Sequence, residues 1–272
     1  MTGKVFVEQL KQSWLQILTW GVGLGFLTFF MSVIVEDPEV INQYSAVISA
    51  MPPAILSAFG ISDVALLTTP EGFLVFAGFT YGAIILSVFG VLAGLSITAN
   101  DEDSGMMNIV LTLPTPRWQV IVERFLAMVV VLLGIDLLMF SGMLLGNIVF
   151  NLEMDMMALF LGAINMMPMI LAIMAITTLV GTVFSNKLII TAVAGSFVLI
   201  SYVINIIADA VNKTDVPVAG WVEKLSVYNY LGSEGVVLDG QLNAGNVSIL
   251  LVATILAVVI SVYAFENRDI SG

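Results

Sequence analysis

Six apolar runs, each long enough to cross a bilayer, constrain this chain before anything else does. They lie at about Trp14–Val35, Phe73–Ala99, Phe125–Phe150, Met157–Phe184, Leu188–Ala208 and Val247–Phe265. A hydrocarbon core of ~30 Å takes about 20 apolar residues in a helix, and a helix satisfies its own backbone polar groups there. Composition agrees: 59% of the 272 residues are hydrophobic and only 10% are charged. The expected fold is therefore all-α: one polytopic membrane domain of six transmembrane helices. The first run is long and lacks a small-residue cleavage site, so it reads as a retained anchor.

Charge orients the bundle. Six spans bring both ends of the chain to one side. Lys4, Lys11, Arg117, Arg124, Lys187 and Arg268 fall on that side, against Lys213 and Lys224 on the other. Cytoplasmic loops carry the excess of Lys and Arg, so both termini are expected in the cytoplasm and the chain in the cell membrane. The segments expected outside, 36–72 and 209–246, collect much of the acid, including Glu36, Asp37, Glu39, Asp209, Asp215 and Glu223. The net charge of −12 is thus largely topological, and it argues against a nucleic-acid partner.

Smaller features fill in the expected architecture. Residues Met1–Ser13 are amphipathic and read as a surface helix lying at the interface. Segment 36–72 reads as two short interfacial helices broken at Pro52 and Pro53. Trp221 and Tyr228-Asn229-Tyr230 suit an aromatic belt. Gly21, Gly23 and Gly25 allow close helix approach or a local bend in the first span. The pairs Gly78/Gly82 and Gly90/Gly94 in the second lie about 120° apart around the helix, so they can serve two neighbours. Pro168 predicts a kink in the fourth span.

The longest polar stretch on the positively charged side runs NDEDSGMMNIVLTLPTPRWQVIVERF from Asn100 to Phe125. Asp101, Glu102 and Asp103 open it, a short apolar run from Met106 to Leu113 stops at Pro114, and Thr115-Pro116 restarts a helix, with Thr as N-cap and Pro at the first helical position. Arg117 and Arg124 then sit about two turns apart, suited to lipid phosphate, to the acidic triplet, or to simple positive-inside anchoring. The helix begun at Pro116 is longer than a bilayer, so it should project from the membrane or bend.

This stretch resembles the cytoplasmic loop of ABC-2 type permeases, the membrane subunits of ATP-driven exporters, with Glu102, Gly105, Leu111, Pro114, Arg117 and Arg124 at matching positions. Met106 departs from the Thr more usual after the Gly. Further likenesses follow in order: Pro53–Gly60, Leu225-Ser226-Val227-Tyr228-Asn229-Tyr230 (Val227 replacing a usual Pro), and the tail Phe265-Glu266-Asn267-Arg268-Asp269-Ile270. The resemblance implies a coupling helix between the second and third spans that touches an ATP-binding cassette subunit. It implies contact residues Asp101, Glu102, Asp103, Gly105, Met106, Met107, Ile109, Val110, Leu113, Pro114 and Arg117. It also implies two such subunits, a second permease copy or paralogue, membrane lipid around the pair, and ATP and Mg bound in the partner rather than here.

The chemistry available within the chain is narrow. Cys and His are absent, which removes thiol chemistry, the commonest metal ligand, and any Ser–His or Cys–His pair. No Gly-x-x-x-x-Gly-Lys-[Ser/Thr] motif occurs, so an ATP-driven transporter built on this chain takes its ATPase from another polypeptide. Met166-Met167-Pro168-Met169 reads as flexible packing rather than a soft-metal site. Asp136 is the one charged residue inside a span. A mid-membrane carboxylate should face a wet cavity or a partner, or be protonated, and it is the candidate pathway or packing polar residue. Asn165, Thr177, Thr178, Ser196 and Asn205 either line a pathway or join helices. The expected role is a non-catalytic permease subunit. An ATP-independent channel or sensor of permease-like fold is the alternative.

Overall fold

The computed structural model describes residues 3–52, 55–56, 69–99, 116–212, 219–232, 235–237 and 240–267. Among these the chain is helical throughout, without a strand. The helices are α1 (Lys4–Glu36), α2 (Pro38–Ser49), α3 (Pro70–Leu74), α4 (Tyr81–Ile97), α5 (Arg117–Phe150), α6 (Met156–Val183), α7 (Lys187–Asn212), α8 (Ala219–Val222) and α9 (Ala244–Glu266). A π-helical segment, Val75–Thr80, joins α3 to α4, so that Gly72–Ile97 is one span. Among the described residues six helices are long and apolar enough to cross a membrane, and the bundle is that of a multi-pass membrane protein.

Local chemistry sets the ends. Asp37 caps α2 by accepting from the Glu39 amide at 2.9 Å, with Pro38 in the first turn where its missing N–H costs nothing. Asp155 caps α6 through the Met157 and Ala158 amides at 2.8 and 3.2 Å. Asn243 caps α9 through the Asn246 amide at 3.1 Å. Asn151 ends α5 in the left-handed region at φ 50°. At the other end of α5, Pro116 is the N-cap and Arg117 the first helical residue, one place later than the sequence predicts. Thr115, its expected cap, lies outside the described residues. The α6 helix runs unbroken through Pro168.

The expected surface helix at the N-terminus is instead the opening of α1 from Lys4 onward, continuous with the first span. No proline interrupts it, and two of its polar residues turn inward while Lys4, Glu8, Lys11 and Gln12 stay exposed. Gln9 and Ser13 are buried; Gln9 Nε2 lies 3.3 Å from Ser13 Oγ and 3.5 Å from Ser96 Oγ. Met128 Sδ accepts from both, at 3.7 and 3.5 Å. This stretch is tied to α4 and α5 through Ser96 and Met128.

Span two and α6 are the most buried, while α1, α7 and α9 turn large apolar side chains such as Phe26, Leu188 and Tyr263 outward, as lipid-facing helices do. The tightest seam joins α1 to α5, which run parallel. A Cβ on Gly134 would come 2.9 Å from Ile17, and one on Gly25 would come 2.7 Å from the Leu138 carbonyl oxygen. One on Gly142 would run into the Gly25 carbonyl, and one on Gly146 into Ser32. Thr28 Oγ1 bridges this seam, donating to Met139 O at 2.9 Å with Gly25 O at 3.0 Å. The two glycine pairs of span two meet different but overlapping neighbours. Gly78 faces Met143 of α5, Gly82 sits between Met139 of α5 and Met166 of α6, and Gly90 and Gly94 face Ile170, Met174 and Thr177 of α6.

Candidate functional site

The end of the bundle where α1 begins, α4 ends and α5 begins carries a polar hub built on one turn of α5. Gln119, Glu123 and Arg124 are all buried there. The Glu123 carboxylate, 2% exposed, accepts from the Gly3 amide at 3.2 Å, the Phe6 amide at 3.1 Å and Gln119 Nε2 at 2.6 Å. The first amides of a helix have no partner within it, and Gly3, the N-cap of α1, has no side chain to offer. Arg124, 8% exposed, donates from Nη1 to the Ile97 carbonyl oxygen at 2.9 Å, at the last residue of α4. A carboxylate thus meets a helix N-terminus and a guanidinium meets a helix C-terminus, the two favourable pairings with the helix dipole.

These contacts bracket the loop singled out in the sequence. Ala99 and Pro116, the described residues on either side of it, adjoin Ile97 and the first turns of α5. Asp101, Glu102, Asp103, Gly105, Met106, Met107, Ile109, Val110, Leu113 and Pro114 lie outside the described residues. Arg117 opens α5 half-buried. Arg124 turns into the bundle, where the carbonyl at the end of α4 lies within its reach; the acidic triplet proposed as one of its partners lies outside the described residues.

Asp136 lies midway along α5, 1% exposed, and neither carboxylate oxygen has a hydrogen-bond partner among the described residues. One helical turn further on, Phe140 packs edge-on against Phe160 of α6 at 5.2 Å. The Thr98 hydroxyl at the end of span two is buried in the same unpartnered state.

At the opposite end, the segment before α9 folds into the bundle. Tyr228, expected in an aromatic belt, is buried; its hydroxyl donates to Ser87 Oγ of α4 at 2.8 Å, and its ring meets Tyr202 of α7 edge-on at 5.4 Å. Ser226 Oγ donates to Ser201 O of α7 at 2.7 Å, and Ser201 Oγ accepts from the Val227 amide at 2.8 Å. Asn165 of α6 donates to Leu231 O. Backbone that is not in a long helix is tolerated among spans only where protein covers it, and these bonds supply that cover. Trp221, in contrast, is exposed as a belt residue should be. Tyr228→Phe is expected to cost about 1 kcal/mol by removing the interhelical bond to Ser87 Oγ, which then keeps only its donation to Ala83 O at 2.7 Å, and is read as a lowered melting midpoint in detergent.

Of the other polar candidates, Thr177 and Thr178 donate to Ile173 O and Met174 O of their own helix, at 2.9 and 2.8 Å, and so neither bridges helices through these bonds. Sequence reasoning missed Glu123, Ser87 and Ser201. The available signal was a charged pair, Glu123-Arg124, directly ahead of an apolar run, with Gln119 one turn before it.

The family model described as ABC-2 family transporter protein matches residues 6–270. No curated protein matches the chain.

Proposed function

The chain belongs to the ABC-2 transporter family, and from that premise we propose that it is the permease subunit of an ABC-2 type exporter driven by a separate ATP-binding subunit. The observation that carries this reading is α5: one unbroken helix of 34 residues that starts directly after the 100–115 segment. At 1.5 Å per residue it measures ~50 Å against a hydrocarbon core of ~30 Å, so it forms a stiff lever standing proud of the membrane. ATP-driven closure of two ATP-binding cassette subunits pushes on the Met106–Leu113 segment, and the lever carries the motion to the seam with a second permease copy or paralogue, where substrate crosses. In this reading the chain supplies no catalytic residue and ATP and Mg bind in the partner, which fits a sequence without a Gly-x-x-x-x-Gly-Lys-[Ser/Thr] motif. Both termini and the 100–124 loop lie in the cytoplasm, on the positive-inside argument, and the pair sits in the cell membrane among lipid.

Asp101, Glu102, Asp103, Gly105, Met106, Met107, Ile109, Val110, Leu113, Pro114 and Arg117 form the contact with the ATP-binding subunit in this reading. Co-purification in detergent with candidate ATP-binding subunits of the same genome tests it, run beside a Glu102→Ala/Arg117→Ala double variant. The expected outcome is a stable complex that weakens at least tenfold in the variant, equivalent to ~1.4 kcal/mol for the removal of two charged side chains from the interface. A complex indifferent to the variant moves the contact elsewhere. Failure of every ATP-binding subunit to associate turns the assignment to an ATP-independent channel or sensor.

A further inference from the structure

We infer that Glu123 and Arg124 are positioning residues that fasten the N-terminus of α1 and the C-terminus of α4 to a single turn of α5, so that a push on the 100–115 segment moves α1, α4 and α5 as one body. This role rests on the permease reading for the origin of the push; the fastening itself rests on geometry alone.

Consecutive residues on a helix point ~100° apart, so Glu123 and Arg124 reach two different neighbours from one place. Glu123 holds the Gly3 and Phe6 amides of α1 at 3.2 and 3.1 Å, and Arg124 holds the Ile97 carbonyl of α4 at 2.9 Å. Both side chains are buried, so water competes poorly for either contact. Gln119 Nε2, one turn earlier, donates to the same Glu123 oxygen that faces Gly3 and fixes the carboxylate's orientation. The 100–115 segment leaves α4 just beyond Ile97 and re-enters just before Arg117. Its two roots and the start of α1 therefore meet at one turn of one helix. Beyond that turn, the close seam from Ile17/Gly134 to Ser32/Gly146 keeps α1 on α5 along its length. The sequence places a lever in α5 alone; the hub makes α1 a second moving element.

The test has two arms. In the chain alone, hydrogen–deuterium exchange over residues 3–9 is expected to quicken about tenfold in Glu123→Ala, with Glu123→Gln in between because it keeps an acceptor oxygen without the charge. Unchanged exchange in Glu123→Ala overturns the fastening, whatever binds the loop. In the complex with its ATP-binding subunit, spin labels are placed at Val7→Cys on α1 and Trp118→Cys on α5, both exposed and beside the hub rather than on the glycine seam, in a chain that has no other cysteine. The distance between them is expected to stay fixed through the ATP cycle, and to shift on ATP addition once Glu123→Ala/Arg124→Ala is introduced. A distance that already changes with ATP in the unmutated hub overturns the one-body motion. If no ATP-binding subunit associates, the permease reading fails and the exchange arm still decides the fastening.

Discussion

Gly142→Leu is expected to abolish the folded peak of the protein in detergent size exclusion, while Gly23→Leu leaves it in place. Both are glycines of long apolar helices, so helix propensity treats them alike. Their surroundings differ. Nothing approaches within 4 Å of a Cβ on Gly23, whereas one on Gly142 collides with the Gly25 carbonyl oxygen and lies 2.6 Å from Thr28 Oγ1. The collision is with backbone, which cannot rotate away. The α1 helix must withdraw, and the Thr28–Met139 bond at 2.9 Å and the Ser32/Gly146 contact go with it. One added methylene in a packed core costs about 1–3 kcal/mol. Gly142→Ala should therefore lower the melting midpoint and still fold, and Leu should exceed what a stability of about 5–15 kcal/mol tolerates. Equal melting of Gly142→Ala and the native chain would show that the seam does not hold α1 to α5.

That seam shows where the sequence was readable and where it was not. Gly21 and Gly25 were visible as a close-approach surface, and the two pairs in span two were visibly on different faces. Which helix each surface meets was not visible, since Gly142-x-x-x-Gly146 reads the same whether it faces α1 or lipid. Hydropathy alone located six spans, because a bilayer imposes one length and one polarity on whatever crosses it. It failed where packing decides. Lys4–Ser13 has the pattern of a surface helix, yet Gln9 and Ser13 find Ser96 and Met128 and the helix simply continues. Tyr228 has the composition of an interfacial tyrosine, yet Ser87 offers it a partner inside the bundle. Glu123 gave little signal, because a carboxylate that caps another helix in space has no fixed spacing from it in sequence. The family resemblance reached the fold through an ordered set of weak motifs, none of which points to the hub.

Asp136→Leu is expected to raise the melting midpoint by a few degrees and, at the same time, to slow ATP turnover by the assembled transporter. The first half follows from burial. Both carboxylate oxygens are enclosed and, among the described residues, unbonded. A buried polar group without a partner costs about 1–3 kcal/mol on the scale of protein mutations, and an apolar side chain of the same branched outline, though bulkier, removes that cost. The second half follows from asking why such a cost persists. Groups that lower stability without contributing packing concentrate where a protein acts, and ionisable residues within a membrane span mark pathways and relays. Asp136 sits on the helix proposed as the lever, one turn from the Phe140–Phe160 contact with α6. A shift of α5 against α6 would change what the carboxyl faces, so the group left unpartnered in this arrangement gains a partner or water in the other. Asp136→Asn separates the two halves, since it keeps the hydrogen-bonding capacity and removes the charge. A lowered midpoint in Asp136→Leu would mean that the carboxyl already makes a stabilising contact. A raised midpoint with unchanged turnover would make it a tolerated defect of packing rather than part of the moving machinery.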